Sequence, residues 1–359
     1  PWGTEGKLDL SQLWEAVRSL APHLAESSVV VIRSTIPFEA PNKAINIIRD
    51  LNPKGGSVEL VVNPEFLREG AALTDFFRPS RIVVGSQTRE GCEIVRKLYK
   101  PLLDSKLPQE VEAYFGRAVR NIPWLECDIN SALMIKYASN AFLATRVSMI
   151  NEVASICAQV GANIKDVVQG MGYDPRIGSH YLSPGAGFGG PCLEKDLRTL
   201  LTFASSKSLD ISLLPAVLQR NQLQILSLVE KLEAALDDSL KGKTIALYGL
   251  AFKANTNDLR DSPSLKAIDL LQTRGAEVMA YDPMIQHNNK GDFTYFSDPY
   301  ETVIGAHGLL VLTAWPQFKE LDYTRIKKLM AYPLIIDGRN ILNCSSLRRL
   351  GFQYSGIGD

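Results

Sequence analysis

The chain has 359 residues, 45% hydrophobic and 22% charged, the composition of folded globular protein, and at about 150 residues per domain it holds two or three domains. Lys plus Arg (39) balances Asp plus Glu (39), so the cationic field that drives non-specific nucleic-acid binding is missing. No continuous apolar run approaches the roughly 20 residues of a membrane span, and no signal-peptide pattern is visible.

Three β-branched runs come first, Val29–Ile32, Leu60–Val62 and Ile82–Val84. An amphipathic stretch at Lys43–Leu51 separates the first two, and a helix is expected around Glu90–Leu103. Near-continuous apolar runs alternating with helices predict a parallel sheet covered on both faces. From Asp128 to about Val160 there is no Gly or Pro, and Ala, Leu, Ile, Val and Met dominate. Such a helix is about 50 Å long. Its apolar residues occupy most of its circumference, so burial on several sides is expected, as in an interdomain connector or subunit interface. Helical sequence continues, with breaks, to about Ala235.

A second βαβ pattern opens at Lys241. Strands are expected at Thr244–Gly249, Glu277–Pro283, Leu309–Leu312 and Leu334–Ile336, with a helix at Ser264–Thr273 stopped by Gly275. The fold class is therefore α/β, two Rossmann-like doubly wound domains joined by a long central helix. The expected domains are 1–125, 126–238 and 239–359.

The five cysteines, Cys92, Cys127, Cys157, Cys192 and Cys344, are odd in number and show no C-x-x-C spacing. Neither a disulfide framework nor a zinc site is expected, and a reducing, cytoplasmic setting is. The four histidines, His23, His180, His287 and His307, are scattered. Asn343-Cys344-Ser345 fits a glycosylation sequon, read as chance without a secretory signal.

Gly185–Gly190 satisfies G-x-G-x-x-G. A dinucleotide fingerprint needs a strand directly before it, and His180–Pro184 is a poor strand ending, so this reads as a flexible loop allowing close approach. Gly242-Lys243-Thr244 lacks the upstream Gly of a P-loop and precedes a strand, so it reads as a turn. In Gly190–Asp196, Pro191 is expected at the helix start, which places Cys192 at a helix N-terminus one turn from Lys195. Both features favour thiolate; a buried apolar cysteine is the alternative. Asp196 is placed to hold a water or a lysine. Asn63–Gly70 ends a strand, where open α/β sheets bind ligands, and its Glu65 and Glu69 suit acid–base work or a solvated turn equally. Lys136 and Asn140 share a helix face and need partners if buried, either as an oxyanion site or as caps of a neighbouring element. Gly249–Lys253 follows a strand and fits a backbone turn at an anionic ligand, with Arg339 in reach of the same place; surface charge is the alternative for both.

Together these stretches resemble the UDP-glucose/GDP-mannose dehydrogenase family. The resemblance rests on Ser34–Pro37, Asn63–Gly70, Pro79–Ile82, Lys136–Phe142, Asp174–Gly178, Phe188–Asp196, Gly249–Lys253, Tyr281–Pro283 and Asp337–Arg339, in the family's order over nearly the whole chain. Thr313–Phe318 and Asn63–Gly70 look more like its UDP-glucose branch than its GDP-mannose or UDP-N-acetylhexosamine branches. The resemblance implies oxidation of a nucleotide sugar's C6 alcohol to the carboxylate with two NAD+. It assigns Lys136, with Asp196 and a water, to deprotonation of the hydroxyl, and Cys192 to capture of the aldehyde. Glu65 would activate the hydrolytic water, Thr35 would help hold a water, and Lys136 with Asn140 would stabilise oxyanion character. Phe66, Leu67, Arg68, Arg176, Tyr181, Gly189, Phe252, Lys253 and Arg339 become substrate contacts, Arg176 from a second subunit. Thr35, Glu69, Lys195 and Arg260 become cofactor contacts. A homodimer through the long helix is implied, with no metal, nucleic-acid or membrane partner. Two departures stand out. Family members begin with a strand and Gly-rich NAD loop, whereas this sequence opens at Pro1-Trp2-Gly3, so the first Rossmann-like domain is expected to lack its N-terminal half and to bind NAD poorly or not at all. Glu194 stands where the family usually has Pro, which is expected to alter the helix start.

Overall fold

A computed structural model describes residues 8–52, 58–116, 119–285 and 293–359. Pro1, Trp2, Gly3 and His287, noted in the sequence, lie outside the described residues. The chain divides into two compact units, Pro1–Ser139 and Asn140–Asp359.

The first unit contains helices α1 (Ser11–Leu20), α2 (Ala40–Leu51), α3 (Ala72–Phe77), α4 (Arg89–Leu103) and α5 (Gln109–Phe115). Its strands are β1 (Val29–Ile32), β2 (Glu59–Val62), β3 (Ile82–Gly85) and β4 (Trp124–Cys127), in that spatial order. Alternation along the strands covers both faces. Val30, Ile32, Leu60, Val62 and Val83 pack with Ala40, Ala44 and Ile48 of α2, while Val61, Ile82 and Val84 pack with Cys92 and Val95 of α4. The expected all-parallel sheet needs correction. β1–β2 and β3–β4 are parallel, but β2 meets β3 antiparallel at Val62 and Gly85. The β2–β3 connection carries the six-residue α3, not a full crossover helix.

The long helix α6 runs from Ile129 to Val160, 32 residues. Asp128 caps it by accepting hydrogen bonds from the amide (2.9 Å) and hydroxyl (2.6 Å) of Ser131. Gly161 stops it at φ 71°, with the Ala162 amide reaching back to the Cys157 carbonyl (3.0 Å). Gly85 lets α6 lie close to the sheet, since a Cβ there would sit 2.6 Å from Ala132 Cβ. By length and composition α6 is apolar enough to pass as a membrane span, at mean hydropathy 1.2, yet it holds no unbroken apolar run of that length. Lys136, Arg146 and Glu152 interrupt it. Ile129, Ala132 and Leu133 lie in a core of the first unit, and Ile150, Ala154 and Cys157 in a core of the second. Burial is nevertheless one-sided in places: Met134, Phe142, Met149, Ile156 and Val160 form an exposed apolar stripe.

The second unit continues with α7 (Ile164–Gly172), α8 (Leu193–Ser206), α9 (Leu213–Ala234), α10 (Pro263–Thr273), α11 (Pro299–Thr302), α12 (Tyr323–Leu329) and α13 (Cys344–Arg349). Its strands are β5 (Thr244–Tyr248), β6 (Glu277–Tyr281), β7 (Thr294–Tyr295), β8 (Gly308–Val311), β9 (Leu334–Asp337) and β10 (Gln353–Gly356). They form one parallel sheet in the order β10-β9-β8-β5-β6-β7. Strand order reverses at β5, between β8 and β6, and the carboxyl ends there form the crevice where such sheets bind ligands.

Candidate active site

In the first unit, the loop after β2 delivers Glu65 to a buried lysine of α6. Lys136 Nζ donates to Glu65 Oε1 (3.0 Å) and to the Glu65 carbonyl (2.6 Å), and Glu65 Oε2 accepts from the Leu67 amide (2.6 Å). The lysine's charge is thereby matched where desolvation would otherwise be costly. The Phe66 ring centroid lies 3.8 Å from the Arg81 guanidinium carbon and 5.6 Å from Lys136 Nζ, within cation–π range of both. Arg81 also donates to Ser139 (3.1 Å), and burial holds its pKa below the usual value. Thr35 lies half-buried in the loop after β1, which the Tyr137 hydroxyl fixes by donating to the Ile36 carbonyl (2.9 Å). Arg68 is exposed and forks onto Asp75 (2.7 Å), and Glu69 is half-buried nearby in sequence.

In the second unit, Cys192 is exposed and stands as the N-cap of α8, as expected. The expected helix start at Pro191 is corrected: the helix begins at Leu193, and Pro191 precedes the cap. Asp196, one turn in, is fully buried and accepts from Asn140 Nδ2 of α6 at 2.5 Å, with Lys195 Nζ 3.8 Å from its other oxygen. Lys136 and Asn140, one turn apart on α6, thus hold one carboxylate each.

The glycine loop before Cys192 is a close-packed structure, not an open cradle. A Cβ on Gly189 would meet the Asp261 carbonyl at 2.4 Å and Pro263 at 2.6 Å, and one on Gly190 would meet the Phe252 ring at 2.6 Å. Three buried carboxamides tie the loop down. Asn221 exchanges two hydrogen bonds with Phe188 (2.8 and 2.9 Å), Gln224 donates to the Gly185 carbonyl (2.8 Å), and Asn151 accepts from the Gly185 amide (2.8 Å). Sequence reasoning missed all three. The signal was there, since an amide on the apolar face of a helix needs a partner.

Arg339 reaches the loop from the end of β9. It donates to the Leu312 carbonyl (2.6 Å) and the Gly187 carbonyl (3.3 Å), and desolvation lowers its pKa to about 10. The Gly249 turn requires a correction. Gly249–Lys253 was expected as a backbone turn at an anionic ligand, but its Leu250 and Ala251 amides donate to Asp282 Oδ2 (2.8 and 3.0 Å), which also accepts from Trp315 Nε1 (3.1 Å). A carboxylate of the protein itself fills that anion position. Lys253 lies 5.5 Å from the Phe252 ring. Arg176 and Arg260 are exposed and each forks onto a near neighbour, Asp174 and Asp258, both at 2.6 Å. The Asp174 hydrogen bonds raise the Arg176 pKa. Tyr181 is exposed in a left-handed backbone position, φ 60°.

Part of a dinucleotide fits these residues. The carboxyl ends of β1 and β2 are parallel neighbours, and the loops bearing Thr35 and Glu69 follow them. A pyrophosphate-binding glycine loop does not follow any strand among the described residues, and the one G-x-G-x-x-G match is packed shut.

Comparison with known proteins settles the family. Residues 1–103 match the NAD binding domain of the UDP-glucose/GDP-mannose dehydrogenase family, residues 130–223 its central domain and residues 246–344 its UDP binding domain. The chain belongs to this family. A UDP-glucose 6-dehydrogenase of Rickettsia prowazekii is 37% identical over 98% of this chain and 78% of its own length. One from Rhizobium meliloti is 38% identical over 99% of this chain and 78% of its own length. The structure of a UDP-glucose dehydrogenase from Pyrobaculum islandicum superposes with a TM-score of 0.86 at 32% identity, covering all of this chain and 78% of that one. The chain is thus an NAD-dependent nucleotide-sugar dehydrogenase of mixed α/β architecture, the fold class its sequence implied.

Proposed function

We propose that the protein oxidises the C6 alcohol of UDP-glucose to the carboxylate of UDP-glucuronate. The observation that carries this reading is an exposed thiol at the start of α8 with the buried Asp196, hydrogen-bonded to Asn140, one turn away. The curated relatives named UDP-glucose 6-dehydrogenase favour this sugar. NAD supplies the hydride acceptor for each oxidation. Residues 1–125 serve its binding, 126–238 carry the nucleophile and 239–359 bind the uridine nucleotide. Thr35, Glu69, Lys195 and Arg260 are the cofactor contacts.

Lys136, with Asp196 and a water, assists loss of the hydroxyl proton as the alcohol becomes the aldehyde. Cys192 Sγ then adds to the aldehyde carbon, and the carbonyl oxygen takes up the proton to give a thiohemiacetal. That carbon loses hydride and the hydroxyl its proton, leaving a thioester. A water held with help from Thr35 and deprotonated by Glu65 attacks the thioester; the S–C bond breaks and the thiolate leaves. Covalent capture retains the aldehyde between the oxidations. Lys136 and Asn140 stabilise the oxyanions, at a few kcal/mol per donor. Phe66, Leu67, Arg68, Tyr181, Gly189, Phe252, Lys253 and Arg339 contact the substrate, joined by Arg176 from a second subunit. The exposed stripe Met134, Phe142, Met149, Ile156 and Val160 supports a homodimer through α6. The cytoplasm is the proposed location, consistent with five cysteines outside any disulfide.

The test is Cys192→Ala in the full-length enzyme, assayed for NADH with UDP-glucose, GDP-mannose and UDP-N-acetylmannosamine. The wild type should turn over UDP-glucose fastest. The variant should bind sugar nucleotide and yield no carboxylate. An unchanged NADH yield refutes the covalent route.

A further inference from the structure

Glu194 sits two residues beyond the proposed nucleophile, in the first turn of α8. A carboxylate there suits the helix dipole, but its charge opposes thiolate formation at Cys192. The structure answers this conflict with two cations. Arg198, one turn on, donates from Nε (2.9 Å) and Nη2 (2.6 Å) to Glu194 Oε1. Lys266, from α10, donates to Glu194 Oε2 at 3.2 Å. Both carboxylate oxygens are engaged, and the Glu194 side chain is only 12% exposed. Burial alone pushes the Glu194 pKa up, but Arg198 and Lys266 outweigh it and hold the group below the usual range. The Lys266 bond also ties the Cys192 end of α8 to α10. The loop entering α10 makes the neighbouring contacts, since the Gly190 amide donates to the Arg260 carbonyl (3.1 Å) and Gly189 abuts Asp261 and Pro263.

We propose that Glu194 is a positioning residue: by gathering Arg198 and Lys266 it pins the nucleophile's end of α8 to α10 and cancels its own charge beside the thiol. The proposal rests on the dehydrogenase reading only for its consequence in turnover; the reactivity of Cys192 tests it separately. Other charged groups lie on the elements that carry or pack against this loop: Lys195 and Asp196 on α8, and Lys253, Asp258, Arg260 and Asp261 on the segment packed against Gly189 and Gly190. They are the same in every variant below, so differences between variants report on the Glu194 group.

The experiment is peptide-resolved alkylation of Cys192 by iodoacetamide across pH in the full chain, with Lys266→Met, Glu194→Gln and the double variant. Lys266→Met leaves Glu194 under-neutralised, so the alkylation midpoint should move to higher pH and the rate at pH 7 should fall about threefold to tenfold. Lys266→Arg should restore wild-type behaviour. In the Glu194→Gln background Lys266 loses its anchor and turns to solvent, so adding Lys266→Met should change the rate by less than about twofold. Equal effects of Lys266→Met in both backgrounds would reduce Lys266 to a point charge and overturn the clamp. An unmoved profile in Lys266→Met overturns it too. A wild type that alkylates as described but makes no NADH would instead defeat the dehydrogenase reading and leave this one standing.

Discussion

Two carboxylates in the two units are held in opposite ways. Glu65 in the first unit meets a full cation, Lys136, and keeps 29% of its side chain exposed. Asp196 in the second is completely buried and takes its short hydrogen bond from a neutral amide, Asn140, with the nearest lysine nitrogen, that of Lys195, at 3.8 Å. A half-buried carboxylate of this kind keeps access to water. A buried one held by an amide has fixed geometry and a large desolvation debt if the amide is lost. The two pairs therefore respond differently to substitution: the first sits where water still reaches the carboxylate, and the second is sealed at the start of α8.

Replacing the cation should have the largest effect. Lys136→Met should lower kcat by about 10²–10³-fold with little change in KM, the loss expected for one oxyanion donor. Steady-state kinetics checks this, and a raised KM with unchanged kcat would make Lys136 a binding residue. Next comes the amide. Asn140→Leu should destabilise the chain by about 1–3 kcal/mol in urea unfolding, because the buried Asp196 loses a short hydrogen bond. Glu65→Gln should cost less stability than Asn140→Leu, since the Gln amide oxygen and the residue 65 carbonyl can both still accept from the buried Lys136 Nζ. Equal stability losses in the last two would erase the contrast between the pairs.

Much of this was legible in the residues. β1, β2, β3, β5, β6, β8 and β9 announced themselves as β-branched or apolar runs, and α6 as a stretch without Gly or Pro. Strand direction was not legible, because the period of apolar residues is the same in parallel and antiparallel pairs, so the β2–β3 reversal was missed. Lys136 and Asn140 were flagged as polar groups on an apolar helix, and the same logic applied to Asn151, Asn221 and Gln224 finds the clamp on the glycine loop. Asp282 was harder. It fills the Gly249 turn from 32 residues away, and nothing local distinguishes an aspartate that satisfies backbone amides from one that awaits a ligand. Arg81 was part of the family resemblance, yet its stacking on Phe66 depends on a loop conformation that spacing does not encode.

The smallest expected effect concerns pH, at the third carboxylate. Glu194 combines features of the other two: it is mostly buried like Asp196, but paired with cations like Glu65. Its folded-state pKa is lowered, so the folded chain binds fewer protons there than the unfolded chain in the carboxylate range. The stabilisation is therefore fully present above the unfolded value and is lost as pH falls through the folded one. The stability difference between wild type and Glu194→Gln should be greatest near neutral pH and shrink below about pH 4. Arg198 and Lys266 are each partly exposed, which screens the pair and keeps the difference below about 1 kcal/mol. Urea unfolding at pH 7 and pH 3 measures it. A difference that grows on acidification would mean that the carboxyl is stabilised in its protonated form, which Arg198 and Lys266 as donors cannot do.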